Sequence, residues 1–178
     1  EGEIQISRRH ESRIFPANFL LLATTNLCPC GDLSPKKNRA RCQRSLSRCR
    51  SHIERLSGPM LDRFDILLFT ERGSKKRHIS MGELKERVDK MLSFRLARDQ
   101  PFPNGLLSLE QMKSDFSNDV LSLLDVVEES SERRHRSLLR ISRSLADLQG
   151  SKDVQSYHLD RAMALSVKPF MQIQRLFG

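Results

Sequence analysis

Asn26 is the first residue along the sequence whose type and place suit chemistry on a phosphate. It follows the apolar run FLLLATT at residues 19–25. An amide can donate a hydrogen bond to a water molecule and accept another, which suits the orientation of a nucleophile against a phosphate. The structural alternative is an asparagine that caps a turn after a strand. The sequence makes Asn26 a candidate catalytic residue.

Arg63 is a second candidate and lies in the segment SGPMLDRFD, residues 57–65. A guanidinium carries rigid, planar donors, which phosphoryl-transfer sites use against the charge on the transferred group. The segment precedes another apolar run at residues 66–69 and can face a neighbouring subunit. The alternative is an ion pair of Arg63 with Asp62 or Asp65 that stiffens the turn.

Four cysteines, Cys28, Cys30, Cys42 and Cys49, are candidate metal ligands. Four thiolates can complete a closed tetrahedral Zn²⁺ site. The spacings C-x-C and C-x₆-C differ from the usual C-x₂₋₄-C pairs, but seven residues are about two turns of a helix, which would bring Cys49 near Cys42. The alternative is four reduced thiols in or near a loop. Without an export pattern, these cysteines predict a reducing, cytoplasmic location.

Positive charge is concentrated in two parts of the chain, whose net charge is +9. Between residues 36 and 55, eight lysines and arginines accompany a single acid, Glu54, and a second cluster of five arginines lies between residues 133 and 143. Such clusters attract the phosphates of nucleotides or nucleic acids, and the alternative is a solvated face. The longest apolar run is far too short to span a bilayer, so no membrane partner is expected.

The elements that must position these residues change character along the chain. Residues 3–7 alternate polar and apolar, which predicts a half-buried strand. The runs at residues 19–25 and 66–69 are apolar without alternation, which predicts strands of a sheet covered on both faces. Between them the basic segment predicts a loop and then a helix toward Leu56, interrupted at Gly58 and Pro59.

The second half of the chain carries helical patterns. Ser80 and Glu83 have the spacing of a capping box, so a helix should begin there and fade before Pro101. Residues 99–116 predict a connection. Three helices should follow, the second stopped by Gly150 and the third before Pro169. Their apolar stripes are Val120, Leu121, Leu124 and Val127; Leu138, Ile141, Leu145 and Leu148; and Leu159, Met163 and Val167.

The order of elements predicts the rear portion of an α/β domain followed by a helical domain. The expected divisions are the α/β part at residues 1–75, a helix and connection at 76–116, and an all-α domain at 117–178. The first residue is Glu rather than Met, and the chain is expected to be the C-terminal part of a longer protein.

Three segments together resemble one family. FLLLATTNLCPCG, RLSGPMLDRFDI and SERRHRSLLRISRSLADLQG are similar to the magnesium-chelatase-like AAA+ ATPases, closest to their competence-associated, ComM-type branch. GEIQISR and FPANF also resemble the hairpin and lead-in strand of that branch. The resemblance implies a P-loop type α/β core followed by an all-α lid. In this branch the downstream cysteines are paired as C-x-C, whereas here Arg44 stands two residues after Cys42.

The resemblance also implies roles for individual residues around ATP and Mg²⁺. Asn26 would be the sensor-1 residue, which places the attacking water and reads the γ-phosphate. Arg63 would be the arginine finger, reaching the ATP of the next copy of the chain in a ring, expected to be a hexamer. Arg133 would be the sensor-2 arginine at the start of a lid helix, with Arg140 and Arg143 as alternates. The structural alternative for these lid arginines is surface ion pairs.

The function implied by the resemblance is an ATP-driven motor that remodels DNA, as a helicase or in branch migration during transformation or recombination. The phosphate-binding pattern G-x-x-x-x-G-K-[ST] does not occur in the sequence, so the chain by itself is not expected to hydrolyse ATP. One alternative is the ATPase subunit of a magnesium chelatase that inserts the metal into a porphyrin. Another is a non-catalytic basic module that binds nucleic acid or zinc.

Overall fold

The structure, a computed structural model, describes residues 2–9, 11–17, 19–31, 33, 45–56, 58–70, 78–125 and 131–177. Two strands are followed by helices. The elements are β1 Glu3–Arg8, β2 Glu11–Pro16, α1 Leu46–Glu54, α2 Gly58–Leu61, α3 Met81–Ala97, a 3₁₀ helix Asn104–Leu106, α4 Leu109–Lys113, α5 Asn118–Asp125, α6 Glu132–Gln149, α7 Ser156–Leu165 and α8 Val167–Phe177.

Strands β1 and β2 form an antiparallel hairpin. The register pairs Glu3 with Pro16 at one end and Arg8 with Glu11 at the other. Arg9 lies between the strands with a φ of 52°, the left-handed conformation that a tight hairpin turn requires. The predicted strand at residues 3–7 is therefore confirmed. Its burial differs from the prediction, because both faces of the hairpin are exposed.

The two apolar runs predicted as strands have no strand partner among the described residues. Residues 19–26 and 66–70 belong to no strand, and Leu20 and Leu22 are 86% and 85% exposed. The apolar pattern indicates a segment that requires cover on both faces. A strand also requires a neighbouring strand for its backbone hydrogen bonds, and within the described residues these runs have no such neighbour.

Helices α1 and α2 lie between the two apolar runs, as predicted for the first of them. α1 ends at Glu54, close to the predicted Leu56. Gly58 and Pro59 do not merely interrupt the chain but begin the single turn of α2. A proline is tolerated there because the first N–H groups of a helix have no partner within it.

Helix α3 begins at the predicted capping box. Ser80 Oγ accepts a hydrogen bond from Glu83 N at 3.1 Å, and Glu83 Oε2 accepts one from Ser80 N at 2.7 Å. These two bonds satisfy backbone donors that the first turn leaves free. The helix ends at Ala97, before Pro101 as predicted, and Leu84 and Val88 on its apolar stripe remain exposed.

The helices after α3 enclose the main hydrophobic core. Residues predicted as a connection contribute to it, because Met112 in α4 and Phe116 are buried with the α6 and α7 side chains. A capping box of Ser108 and Gln111 starts α4, a local signal that the sequence interpretation did not use. The other core residues are Val120, Leu124, Leu138, Leu139, Ile141, Ala146, Val154, Leu159, Ala162 and Val167.

The predicted ends of α6 and α7 are confirmed. Gly150 closes α6 in the left-handed conformation with a φ of 68°, as predicted. The third predicted helix, α7, ends at Leu165, before Pro169 as predicted, but a further helix, α8, follows that the sequence did not predict. The helical conformation is interrupted at Ser166, and α8 then begins at Val167 and continues through Pro169. Pro169 is the third residue of α8, where its missing N–H leaves no helical hydrogen bond unmade.

Helix α8 connects the part of the chain before α3 with the helices that follow α3. Its Ile173 is buried against Leu61 of α2, and Leu33, Leu56, Leu67, Phe69 and Phe170 surround them. Leu67 N also donates to Leu165 O at 2.9 Å. Among the described residues, no helix has the length and apolar character needed to cross a membrane.

Candidate nucleotide and metal sites

Arg63 lies exposed on a tight turn that follows α2. Three backbone bonds shape the turn, from Asp62 N to Gly58 O, Arg63 N to Met60 O and Phe64 N to Leu61 O, at 2.9, 3.1 and 3.1 Å. Arg63 Nη1 donates to Pro59 O at 2.6 Å, and the residue is exposed. Donors at the surface of the molecule can reach a ligand held by another chain.

The two acids beside Arg63 contact α6 instead of Arg63. Asp62 Oδ2 accepts from Ser131 Oγ at 2.7 Å, and Asp65 Oδ1 accepts from Ser137 Oγ. Within the described residues, neither acid forms an ion pair with Arg63. The alternative reading, in which a local ion pair holds Arg63, is therefore not what the structure contains.

Arg134 of α6, which the sequence interpretation did not select, is the main contact of this turn. Only 1% of it is exposed. Its Nη2 donates to Leu61 O at 3.1 Å and lies 3.3 Å from Asp62 Oδ1, while Nη1 donates to Phe64 O at 2.8 Å. Burial lowers the pKa of the Arg134 guanidinium, and the charge of Asp62 opposes that shift.

The three arginines predicted to contact nucleotide have different surroundings on α6. Arg133 is exposed in the first turn, and Arg140 is half-buried. Arg143 is fully buried, and its guanidinium binds Asp147 Oδ1 at 2.8 Å and Ser151 O at 2.6 Å. Because the donors of Arg143 are occupied inside the helical part, the geometry favours Arg133 and Arg140 as residues with access to a ligand.

Asn26 lies in an exposed position beside α1. Its backbone carbonyl oxygen accepts from His52 Nε2 at 3.1 Å and from Thr25 Oγ1 at 3.2 Å. Because a carbonyl only accepts, Nε2 is the nitrogen of His52 that carries the proton. The Asn26 side-chain amide has no hydrogen-bond partner among the described residues, so it is available to a ligand or water.

Three of the four cysteines converge next to Asn26. The Sγ atoms of Cys28, Cys30 and Cys49 all lie within 4.8 Å of one another, and Cys28 and Cys49 are buried. Cys28 and Cys30 are 2.9 Å apart at sulfur, longer than the approximately 2.05 Å of a disulfide. This group could hold a metal ion. Cys42, the fourth candidate, and most of the basic segment lie outside the described residues.

A tight turn at Cys28–Gly31 shapes this cysteine group. Gly31 N donates to Cys28 O at 3.0 Å, and Gly31 adopts a φ of 76°, which favours glycine. The turn also directs Leu33 N at Cys28 Sγ, at 3.2 Å. This bond fixes the position of the Cys28 sulfur within the cysteine group.

The structure therefore groups the predicted residues into two places. Asn26 lies with the cysteines and α1, and Arg63 lies beside the start of α6, which also carries Arg133. The contacts made by His52 and Arg134 were missed in the sequence. Arg134 stands four residues before Leu138 and seven before Ile141, so extending the apolar stripe of α6 backward by one turn would have placed it on the buried face.

Comparison with known proteins shows the family. Residues 1–78 match the family described as magnesium chelatase, subunit ChlI, and residues 78–166 match magnesium chelatase, subunit ChlI C-terminal. This chain belongs to the magnesium chelatase ChlI family. The predicted resemblance to magnesium-chelatase-like AAA+ ATPases is thereby confirmed.

Several relatives of this magnesium chelatase family member align along most of the chain. Competence protein ComM of Haemophilus influenzae is 31% identical, over 91% of this chain and 33% of the relative. YifB of Salmonella typhimurium and YifB of Escherichia coli are 29% and 28% identical, each over 92% of this chain and 34% of the relative. The chain thus spans about a third of the length of these relatives.

Proposed function

We propose that this chain provides the sensor, finger and lid parts of a AAA+ ATPase that works as a ring. The observation that carries the proposal is the arrangement around Arg63. Both flanking acids bind side chains at the start of α6 and so fix the turn to that helix. Arg63 itself stays exposed. An arginine finger requires this combination, because it must be rigidly held and yet reach a phosphate bound by another subunit.

In this proposal Asn26 and Arg133 act on the nucleotide of their own subunit. The side-chain amide of Asn26, which has no partner within the described part of the chain, orients the attacking water, and exposed Arg133 donates to the phosphates. Arg140 is the alternate for Arg133. MgATP supplies the phosphoryl group, and a phosphate-binding loop, which the 178 residues do not contain, would hold it.

DNA is the proposed substrate of the motor. The Haemophilus influenzae relative is named a competence protein, and the basic stretch at residues 36–55 has the charge to follow a phosphate backbone. We propose that the motor is a hexameric ring with helicase or branch-migration activity. The family description, magnesium chelatase, favours a second candidate, in which ATP hydrolysis drives metal insertion into a porphyrin.

A structural zinc ion is the proposed occupant of the cysteine group. Cys28, Cys30 and Cys49 are arranged around one point, and Cys42 is the proposed fourth ligand. A closed thiolate site would tie the turn after Asn26 to α1 and so fix the position of Asn26. The reduced state that such ligands require agrees with a cytoplasmic location.

Replacement of Arg63 in the full-length protein tests the proposed ATPase function. Arg63→Ala should lower ATP turnover by about 10³-fold or more, because the finger stabilises charge only in the transition state. ATP affinity, measured by fluorescent-nucleotide titration, should stay within about twofold. Arg136→Ala is the matched control, since Arg136 is an exposed arginine of the same helix that pairs with Glu132. Unaltered turnover in Arg63→Ala would contradict the finger role.

A further inference from the structure

The N-cap residue of α6 and two side chains of the helix meet the turn that carries Arg63. Ser131, Arg134 and Ser137 follow one another at intervals of three residues, so they lie along one face of the helix. Ser131 is also the N-cap of α6, where its Oγ accepts from Arg134 N at 3.2 Å. The turn therefore docks on the first two turns of the lid helix.

Arg134 contacts the turn on both sides of Arg63. Before Arg63 it reaches Leu61 O and Asp62, and after Arg63 it reaches Phe64 O, at 3.1, 3.3 and 2.8 Å. A planar guanidinium can make these contacts at once, because its donors point in several fixed directions. The backbone around Arg63 thus has one shared anchor.

The other side of Arg134 is held by the junction of α7 and α8. Ser166 Oγ accepts from Arg134 Nη1 at 2.9 Å, and the ring of Phe170 lies 4.7 Å from the guanidinium carbon. A cation over an aromatic face is attracted to it. The anchor of the turn is therefore embedded in the lid and moves with the lid.

Arg133, the residue before Arg134 on α6, is exposed while Arg134 is buried. Adjacent residues on a helix point about 100° apart, so one rigid helix presents Arg133 outward and Arg134 to the turn. A movement of α6 that follows a ligand at Arg133 would displace Arg63 by the same rigid-body motion.

We propose that Arg134 is a positioning residue that fixes the Arg63 turn to α6 and so couples the nucleotide of one subunit to the finger offered to the next. The hold on the turn is a property of this chain alone, whereas the coupling rests on the proposed function of Arg63. A merely structural role would stabilise the lid without a specific effect at residues 62–64. A positioning role and a merely structural role of Arg134 can therefore be separated by experiment.

Amide hydrogen exchange in the 178-residue chain tests the hold on the turn. Arg134→Met keeps an apolar stem near Phe170 and removes every donor. The amides of Asp62, Arg63 and Phe64 should exchange at least about tenfold faster, while those of α7 keep their protection. Arg136→Met, on the same helix but exposed, should change neither. Unchanged exchange at residues 62–64, or acceleration only together with all of α7, would overturn the inference.

Two further variants keep the test decisive if Arg134→Met does not fold. Arg134→Lys retains the charge but has a single ammonium group, so it should hold Asp62 and lose one of the two carbonyl contacts. Asp62→Asn removes the ion pair and keeps an acceptor for Ser131. Both should give exchange rates at residues 63 and 64 between those of the original chain and fully open amides. Exchange equal to that of the original chain in both would overturn the inference.

ATP turnover in the full-length protein separates this inference from the proposed function. Arg134→Met should lower kcat by at least about tenfold with ATP affinity unchanged, and Arg134→Lys should restore part of it. In rings that mix variant and original subunits, ATP turnover should fall only at sites whose arginine finger comes from a variant subunit. Faster exchange with unaltered turnover would overturn the finger role of Arg63 and the coupling, while the hold of Arg134 on the turn would stand.

Discussion

Arg143 and Asp147 form an ion pair within α6, with Arg143 Nη2 2.8 Å from Asp147 Oδ1 and both side chains removed from solvent. Asp147 also accepts from Asn104 Nδ2 at 2.8 Å and lies 3.1 Å from Arg98 Nη2. Arg98 and Arg143 both pair with Asp115 as well. A single buried network of charges thus ties α3, the 3₁₀ helix and α6 together.

Removal of Arg143 should therefore destabilise the fold. Arg143→Met leaves the buried carboxylate of Asp147 without its closest cation and should cost about 3–5 kcal/mol in the free energy of unfolding. Urea denaturation of the 178-residue chain measures this cost. Arg133→Met is the matched control, because Arg133 is exposed and should change stability by less than about 0.5 kcal/mol.

The same two variants distinguish the candidate sensor-2 residues in the full-length protein. Arg133→Met should weaken ATP binding or turnover without loss of stability, as expected for a residue that contacts the nucleotide. Full activity in Arg133→Met, together with lost activity in a stable Arg140→Met, would assign the role to Arg140 instead.

Local sequence signals predict the helix ends of this chain well. The capping box of Ser80 and Glu83 and the left-handed Gly150 depend only on residues a few positions apart, and both occur as predicted. The same locality explains why α8 was missed. A proline indicates a stop only if its N–H is needed, and the break at Ser166 places Pro169 in a first turn, where it is not.

The contacts of the candidate site depend on distant partners and so were only partly predictable. Arg63 was identified from its segment, but its acids bind α6 residues about 70 positions away. No local pattern states whether Asp62 pairs with its neighbour Arg63 or with Arg134. The apolar run after Phe19 indicated a need for cover, yet the described residues provide no strand for it.

His158 should make stability depend on pH. It is buried, its Nδ1 accepts from Gln155 N at 3.0 Å, and its Nε2 lies 3.0 Å from Gln149 Oε1. Burial, and then the charge of Arg143, lower the pKa of His158 below 6.5 in the folded chain. Below pH 6.5 the unfolded chain therefore binds a proton that the folded chain does not, so this contribution to stability falls toward the folded pKa.

Urea denaturation between pH 7.5 and 5.5 measures this contribution. The free energy of unfolding of the original chain should fall by up to about 1.4 kcal/mol per pH unit below 6.5 from this group. His158→Gln should reduce that dependence, although it lowers stability at pH 7.5. His78→Gln, at an exposed histidine, should leave the pH dependence intact. An identical pH slope in His158→Gln and the original chain would contradict the assignment.

DNA binding by the full-length protein should depend steeply on salt. Neutralisation of phosphates by lysine and arginine releases counterions, so affinity for a single-stranded oligonucleotide should fall by orders of magnitude between 50 and 200 mM salt, about 10³-fold for six contacts. Fluorescence anisotropy measures the affinity. Arg48→Gln, in the exposed part of α1, should reduce the salt slope by about one if that helix contacts the backbone. Binding that is absent or independent of salt would contradict DNA as the substrate.

Zinc should copurify with the chain at about one ion per molecule, because three thiols already surround one point and a fourth is available in the sequence. Cys49→Ser should abolish this stoichiometry, since a hydroxyl does not replace a thiolate as a ligand, and a strong chelator should lower the melting temperature of the original chain only. Ser47→Ala, on the exposed side of the same helix, is the control and should retain zinc.

Cys42→Ser tests the fourth ligand and should weaken zinc binding. Elemental analysis measures the metal, and full zinc content in Cys49→Ser would show that the three thiols do not form the site. Loss of the ion should also increase hydrogen exchange at Leu33 N, because its acceptor, Cys28 Sγ, is one of the proposed zinc ligands.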